Sequence, residues 1–226
     1  MQKIKELLKN EKYYSVIIIL IASIFVCIPL MSKNIDMTYD DGIQHICRLM
    51  GTYQSLQEGQ TKIMSNFCNG FGYSWNIFYS PLTAFLPLIF KLIGASFTVC
   101  IKLFMFANVF LSGYFMYICA KKITKNTNIA ILSAIVYILA PYRLTDMYIR
   151  NAIAELTSFT FLPLVFLGLY NIFEEPMEGR KKFPNKQSTY IVNRYYRFNT
   201  NTYCNYNVYS NICFYICTNK YKKIKR

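Results

Sequence analysis

The chain predicts an all-α fold, an integral membrane helical bundle of about four transmembrane helices with two surface helices in the first external loop. Three observations carry that expectation. Of its 226 residues 54% are hydrophobic and only 16% charged, whereas soluble domains carry about 25% charged residues. Tyr13 to Met31 is an uncharged apolar stretch of membrane length. Further apolar runs follow at 97–120, 127–142 and 156–173, separated by polar segments.

The elements follow in order. Residues 1–12 are a basic lead with Lys3, Lys5, Lys9 and Lys12. Placed before the first span, it predicts a cell-membrane protein of the multi-pass kind with a cytoplasmic N-terminus. A cleaved signal peptide is the competing reading, and the length of the apolar run and the later spans weigh against it. Residues 32–96 then form an external loop. Asp40 or Asp41 opens and caps a helix reaching about Glu58, with Gly59 as its stop. Ile46, Leu49, Tyr53 and Leu56 recur at helical spacing, so this helix is expected to lie stripe-down on the membrane. Asp41, His45 and Arg48 share another face at i, i+4 and i+7. Trp75, Tyr73 and Tyr79 suit the bilayer interface. The apolar run from Pro81 to Phe90 is too short to span and reads as a second surface or re-entrant helix.

The second span, 97–120, carries Lys102 near its outer end, where the side chain snorkels. Lys121, Lys122 and Lys125 follow and read as cytoplasmic. The third span, 127–142, returns outside, residues 143–155 form an external return loop, and 156–173 descends again. Asp40, Asp41, Arg143, Asp146, Arg150 and Glu155 are thereby placed together on the outer face. Arg143, Asp146 and Arg150 recur at i, i+3 and i+7, so a short helix presents them on one side.

Residues 177–226 are a different kind of sequence. This basic Tyr/Asn-rich tail holds 11 of the 25 basic residues and one of the 11 acidic ones, so the net charge of +14 belongs mainly to it. From Gln187 to Arg226 there is no Leu, Ala, Gly, Pro, Asp or Glu. Its residues are largely those with AT-rich codons, and a shifted frame turns such codons into an apolar run with a basic flank. The tail reads as an out-of-frame translation, with a genuine unstructured basic tail as the alternative; sequencing the gene across codons 176–190 separates the two. With no fold-forming pattern in the tail, nucleic acid is not expected as a partner. The eight cysteines show no metal or disulfide spacing, and a Cys47–Cys68 bridge is open but not indicated.

The polar residues of the outer face fit transfer to or from a phosphate-linked group. Arginine binds phosphate bidentately, and a nearby carboxylate can deprotonate an acceptor hydroxyl. The alternative is ordinary interfacial charge, with these residues paired to one another. No cofactor is indicated; two adjacent carboxylates suit a divalent cation, but no third ligand is visible.

The acidic pair Asp40-Asp41 opening a helix after the first span resembles the first external loop of GT-C-type membrane glycosyltransferases. So do Gly72-Tyr73 and Phe78-Tyr79-Ser80-Pro81-Leu82 with its short apolar helix. Within that group, Ala140-Pro-Tyr-Arg-Leu-Thr-Asp146 and Tyr148-Ile-Arg-Asn-Ala-Ile-Ala-Glu155 resemble bacterial multi-pass membrane proteins called 6-pyruvoyl-tetrahydropterin synthase-related. Nothing in the chain resembles a soluble pterin enzyme, so no pterin chemistry is expected. The resemblance covers about residues 1–176 and implies a polyprenyl-phosphate-linked sugar as donor, with transfer at the outer leaflet. Asp40 or Asp41 is then the general base. His45, Arg48, Arg143, Asp146, Arg150 and Glu155 are substrate-binding candidates, with Arg143 and Arg150 as phosphate contacts. Such enzymes have two to three times as many spans, so the chain reads as an N-terminal fragment, inactive alone. A non-enzymatic lipid-linked glycan carrier or assembly factor, bound only to membrane lipids and such glycans, is the second expectation. Transport needs charges within spans, and the sequence places only Lys102 inside one.

Overall fold

The structure is a computed structural model, and it describes residues 11–32, 41–59 and 71–174. The lead before Glu11, Asp40, Cys68 and the tail lie outside the described residues. Among the described residues eight α-helices follow one another: α1 (Glu11–Cys27), α2 (Gly42–Gln57), α3 (Trp75–Phe78), α4 (Leu82–Leu88), α5 (Phe97–Thr124), α6 (Thr127–Ile138), α7 (Pro141–Thr145) and α8 (Ile153–Glu174). A 3-10 turn extends α1 over Ile28–Met31, another extends α4 over Ile89–Ile93, and a π turn, Asp146–Arg150, follows α7. Among the described residues there is no β-strand.

Among the described residues three helical stretches are long and apolar enough to cross a membrane: Tyr13–Met31, Phe97–Thr124 and Ile153–Asn171. A fourth crossing exists if α6 and the bent segment after it count as one. That pair departs from the straight third span expected over 127–142. The α6 helix ends at Ile138, and the chain bends by 42° into Pro141–Arg150. Pro141 explains the break: it lacks an N–H and disfavours helical backbone in the residue before it, so it starts a new helix instead of continuing the old one.

Local chemistry fixes the bundle at both ends. Ser96 accepts the Val99 N–H and starts α5. Lys125 takes the left-handed conformation (φ 56°) that stops it. Asn126 then accepts the Asn128 and Ile129 N–H groups and starts α6. The two helices are thus joined by a two-residue connection and pack antiparallel. Glu11 closes the same end, pairing with Lys121 at 3.0 Å and accepting the Thr127 hydroxyl at 2.6 Å. At the opposite end Lys102 donates to the Ser32 carbonyl at 3.0 Å, closing the end of α1.

The interior is built from small residues and satisfied hydroxyls. Ala130 and Ala134 of α6 are fully buried, a spacing that lets helix backbones approach. A Cβ placed on Gly113 would stand 3.0 Å from Ile19 Cγ2 and 3.1 Å from Ile138 Cγ2, so α1, α5 and α6 converge there. Neither β-branched neighbour can swing away cheaply. Gly113→Ala is therefore expected to lower stability by about 1–3 kcal/mol, measured as the thermal unfolding of detergent-solubilised protein; a rise would show that helix propensity outweighs the close approach. In α8, Pro163 leaves the Phe159 carbonyl without its helical donor. The Tyr137 hydroxyl supplies one at 2.7 Å and ties α6 to α8.

The short helices α2 and α4 sit across the bundle end opposite the lysines and pack on each other and on α5. The α2 boundaries agree with the sequence, and Gly59 ends the helix at φ 74°. Its orientation differs from the expected one. Leu49 is buried, and Ile46 and Tyr53 pack with it on the protein core, while Leu56 is exposed. The apolar stripe thus faces protein, because α5 and the bent segment offer apolar surface at that end.

Candidate functional site

The polar face of α2 is buried. Arg48, 1% exposed, donates from Nη1 to Thr83 Oγ1 (2.8 Å) and from Nη2 to the Ser80 carbonyl (2.6 Å) and Asn76 Oδ1 (3.4 Å). Its guanidinium carbon lies 4.4 Å from the centre of the Tyr79 ring, in cation–π contact. The His45 ring packs on the same tyrosine at 5.6 Å. Arg48 therefore gathers the segment leading into α4 and is committed to the fold. The expectation that it contacts substrate is revised accordingly. His45 is buried as well and stands below the accessible surface.

Burial, reinforced by the charge of Arg48, pushes His45 down to about 4, so the imidazole is neutral. An unfolded histidine binds its proton near 6.5. Between those values the unfolded chain holds more protons than the folded one, so stability falls as pH falls through this window. His45 is the single histidine of the chain, and its expected contribution is a loss of about 2 kcal/mol at pH 5 relative to pH 7. Chemical unfolding at both pH values should therefore show the wild type losing about 2 kcal/mol more than His45→Gln.

Tyr79 joins the layers. Beyond its contacts to Arg48 and His45, its oxygen accepts the Ala154 N–H at the start of α8 and feels the charges of Asp41 and Asp146. Burial pushes its hydroxyl up to about 12, so it remains a donor. The sequence carried Tyr79 inside the Phe78–Leu82 motif but assigned it to the bilayer interface. Its signal was adjacency to Ser80-Pro81, a turn that brings its ring back over α2.

Asp41 stands at the first residue before α2 but does not cap it: its backbone is already helical, and its carboxylate accepts no backbone N–H there. Among the described residues it forms no ion pair. Its N–H bonds the Arg150 carbonyl at 3.3 Å, which joins the start of α2 to the end of the π turn. The acidic position and the return segment thus meet. The expected cap by Asp41 is therefore not made.

The return segment is not a single exposed loop. Arg150 is accessible and donates from Nη1 to Asp146 Oδ1 (3.1 Å), Glu155 Oε2 (2.8 Å) and the Tyr142 hydroxyl (3.1 Å). Tyr142 in turn donates to Glu155 Oε1 at 2.7 Å. Two carboxylates therefore neutralise Arg150, and both oxygens of Glu155 are used. Arg143, in contrast, is 3% exposed and turns into the bundle. Its Nη2 donates to the Asn108 carbonyl of α5 at 3.3 Å, and its guanidinium lies 5.7 Å from the Tyr137 ring. Its Nε and Nη1 have no partner among the described residues, nor does Asp146 Oδ2, which is also buried. Arg143 is thus enclosed in the bundle and not presented on an open loop. The cause is the bend at Pro141, which drives the segment back against α5 and α8. A lone Asn108 within an apolar helix was the available sequence signal: Asn108 and Thr160 hydrogen-bond each other at 2.8 Å beside the arginine.

The arrangement is layered. Asp41, Tyr142, Arg150 and Glu155 form an accessible rim; His45, Arg48, Asp146 and Arg143 lie beneath it. Among the described residues no three His, Cys, Asp or Glu side chains gather to hold a metal. The π turn and left-handed Asn151 (φ 53°) mark the rim's centre, the kind of backbone departure that recurs at functional sites.

No family model matches the chain, and no solved structure matches it. An uncharacterized protein of Lactococcus lactis subsp. cremoris (strain MG1363) is 27% identical over 177 residues, which cover 74% of this chain and 29% of the relative. The chain thus spans less than a third of the length of that relative.

Proposed function

We propose that the bundle end carrying Asp41 receives a phosphate-linked lipid, and that the chain is part of a membrane glycosyltransferase of the polyprenyl-phosphate-sugar type acting at the outer face. The observation that carries this reading is Arg143: a buried guanidinium with two donor positions uncommitted and no carboxylate in ion-pair range among the described residues. Asp146 acts on it electrostatically without bonding it; a buried cation so weakly paired is costly, and an oxyanion of a phosphate ester satisfies that fork bidentately. Arg143 replaces Arg150 as the phosphate contact, since Arg150 is already neutralised. Asp41 is the general base, because its carboxylate is accessible and forms no ion pair among the described residues. The lysine hairpin and the N-terminus are cytoplasmic in this reading.

The second reading, a non-enzymatic carrier of lipid-linked glycans, gains from the same segment. If α6 and Pro141–Arg150 form one broken crossing, then Arg143 and Asp146 are charges within it, a feature of transport paths. One experiment separates the two. In an intact homologue that carries the acidic pair, Asn replaces both aspartates at the positions of Asp40 and Asp41, and sugar transfer from a polyprenyl-phosphate donor is assayed in membranes. The transferase reading predicts a loss of about a hundredfold or more with unchanged insertion. Full transfer would remove the base role, and sugar translocation without transfer would establish the carrier.

A further inference from the structure

Tyr142 is 56% exposed, yet its hydroxyl is held on both sides. It donates to Glu155 Oε1 at 2.7 Å and accepts from Arg150 Nη1 at 3.1 Å. Its ring meets Phe159 edge to face, with centroids 5.9 Å apart and planes at 90°. A tyrosine that merely anchors a chain at the bilayer surface keeps its hydroxyl in water or headgroups. This one uses both hydrogen-bonding roles within the protein, so the ring is fixed while much of it remains open. Ordering an exposed side chain in this way costs entropy. Beside the ring stand a guanidinium and a carboxylate, one donor and one acceptor, and Asp41 lies across the Arg150 carbonyl.

We propose that Tyr142 is a stacking platform for a pyranose ring, with Arg150 and Glu155 reading the hydroxyls at its edge. A sugar offers an apolar face of C–H groups and a rim of hydroxyls that both donate and accept. A fixed aromatic face flanked by one donor and one acceptor complements both features. A phosphate fits poorly here, because Glu155 and Asp146 already balance Arg150. The anionic part of a ligand is therefore separated from its sugar: phosphate toward Arg143, ring on Tyr142. The inference rests on the reading of the site as one for sugar-bearing lipids, but it concerns binding alone and needs no turnover.

The test uses the full chain in lipid nanodiscs and saturation-transfer NMR with millimolar methyl glucosides, methyl galactosides and N-acetylglucosamine. The expected result is transfer concentrated on the C–H protons of one ring face for at least one sugar. Tyr142→Ala should weaken that signal about tenfold. Tyr142→Phe keeps the ring but frees it, and should weaken binding about threefold, while Tyr142→Trp should retain it. No transfer to any of these sugars, or equal transfer with Tyr142→Ala, overturns the platform. Because Tyr142 is exposed, its variants should fold, and the Trp variant guards against a packing artefact. Ring-face contact in a protein that fails the transferase assay would sustain the platform while removing the transfer reading.

Discussion

Arg48→Ala is expected to lower stability by about 3–5 kcal/mol. The side chain is buried and bonds Thr83, Ser80 and Asn76 while supporting the Tyr79 ring. Truncation leaves a void of arginine length, removes the donor that Asn76 and Thr83 face, and releases Tyr79 from one of its two stacking partners. Arg48→Lys should recover less than half of the loss. A single ammonium cannot reach acceptors that a planar fork meets in different directions. Thermal unfolding in detergent checks both variants; a change below about 0.5 kcal/mol for Arg48→Ala would mean that the α2–α4 corner is held by apolar contacts alone.

Arg143→Met has the opposite expected sign. This guanidinium is as deeply enclosed as Arg48 but makes one long hydrogen bond to a carbonyl. Replacing a poorly paired buried charge with an apolar side chain of similar length is often stabilising, by about 1–4 kcal/mol. The variant should therefore unfold at a higher temperature than the wild type and bind phosphate-linked lipid about tenfold more weakly, the loss of one charge-assisted pair. Gain of stability with loss of binding is the signature of a residue kept for its ligand. A destabilised Arg143→Met would show that the Asn108 and Tyr137 contacts are what retain the arginine.

The two arginines also show what the sequence could and could not say. Both were legible as site candidates, and both belong to the same end of the bundle. Their roles were not legible. The spacing of Asp41, His45 and Arg48 placed them on one helix face correctly, but whether that face meets solvent depends on the turn at Ser80-Pro81, a tertiary matter. The apolar spans were legible because membrane length and absence of charge are local properties. The first matched the helical stretch Tyr13–Met31 residue for residue. The third did not, because 127–142 is uncharged throughout and the break comes from Pro141, whose consequence is a 42° turn rather than a loss of hydropathy. That turn carries Arg143 from the expected outer loop into the bundle, and with it the choice between Arg143 and Arg150 as the phosphate contact. The caps at Ser96 and Asn126 follow ordinary side-chain rules, whereas Asp41, whose side chain does not cap its helix, runs against them.

The affinity of the full chain in nanodiscs for a polyprenyl phosphate, compared with the uncharged polyprenol, tests the central claim most directly. The account predicts that the phosphate lipid binds more tightly than the alcohol and that Arg143→Met abolishes most of the difference. Equal affinity for the two lipids, or a preference for the phosphate that survives Arg143→Met, would contradict it.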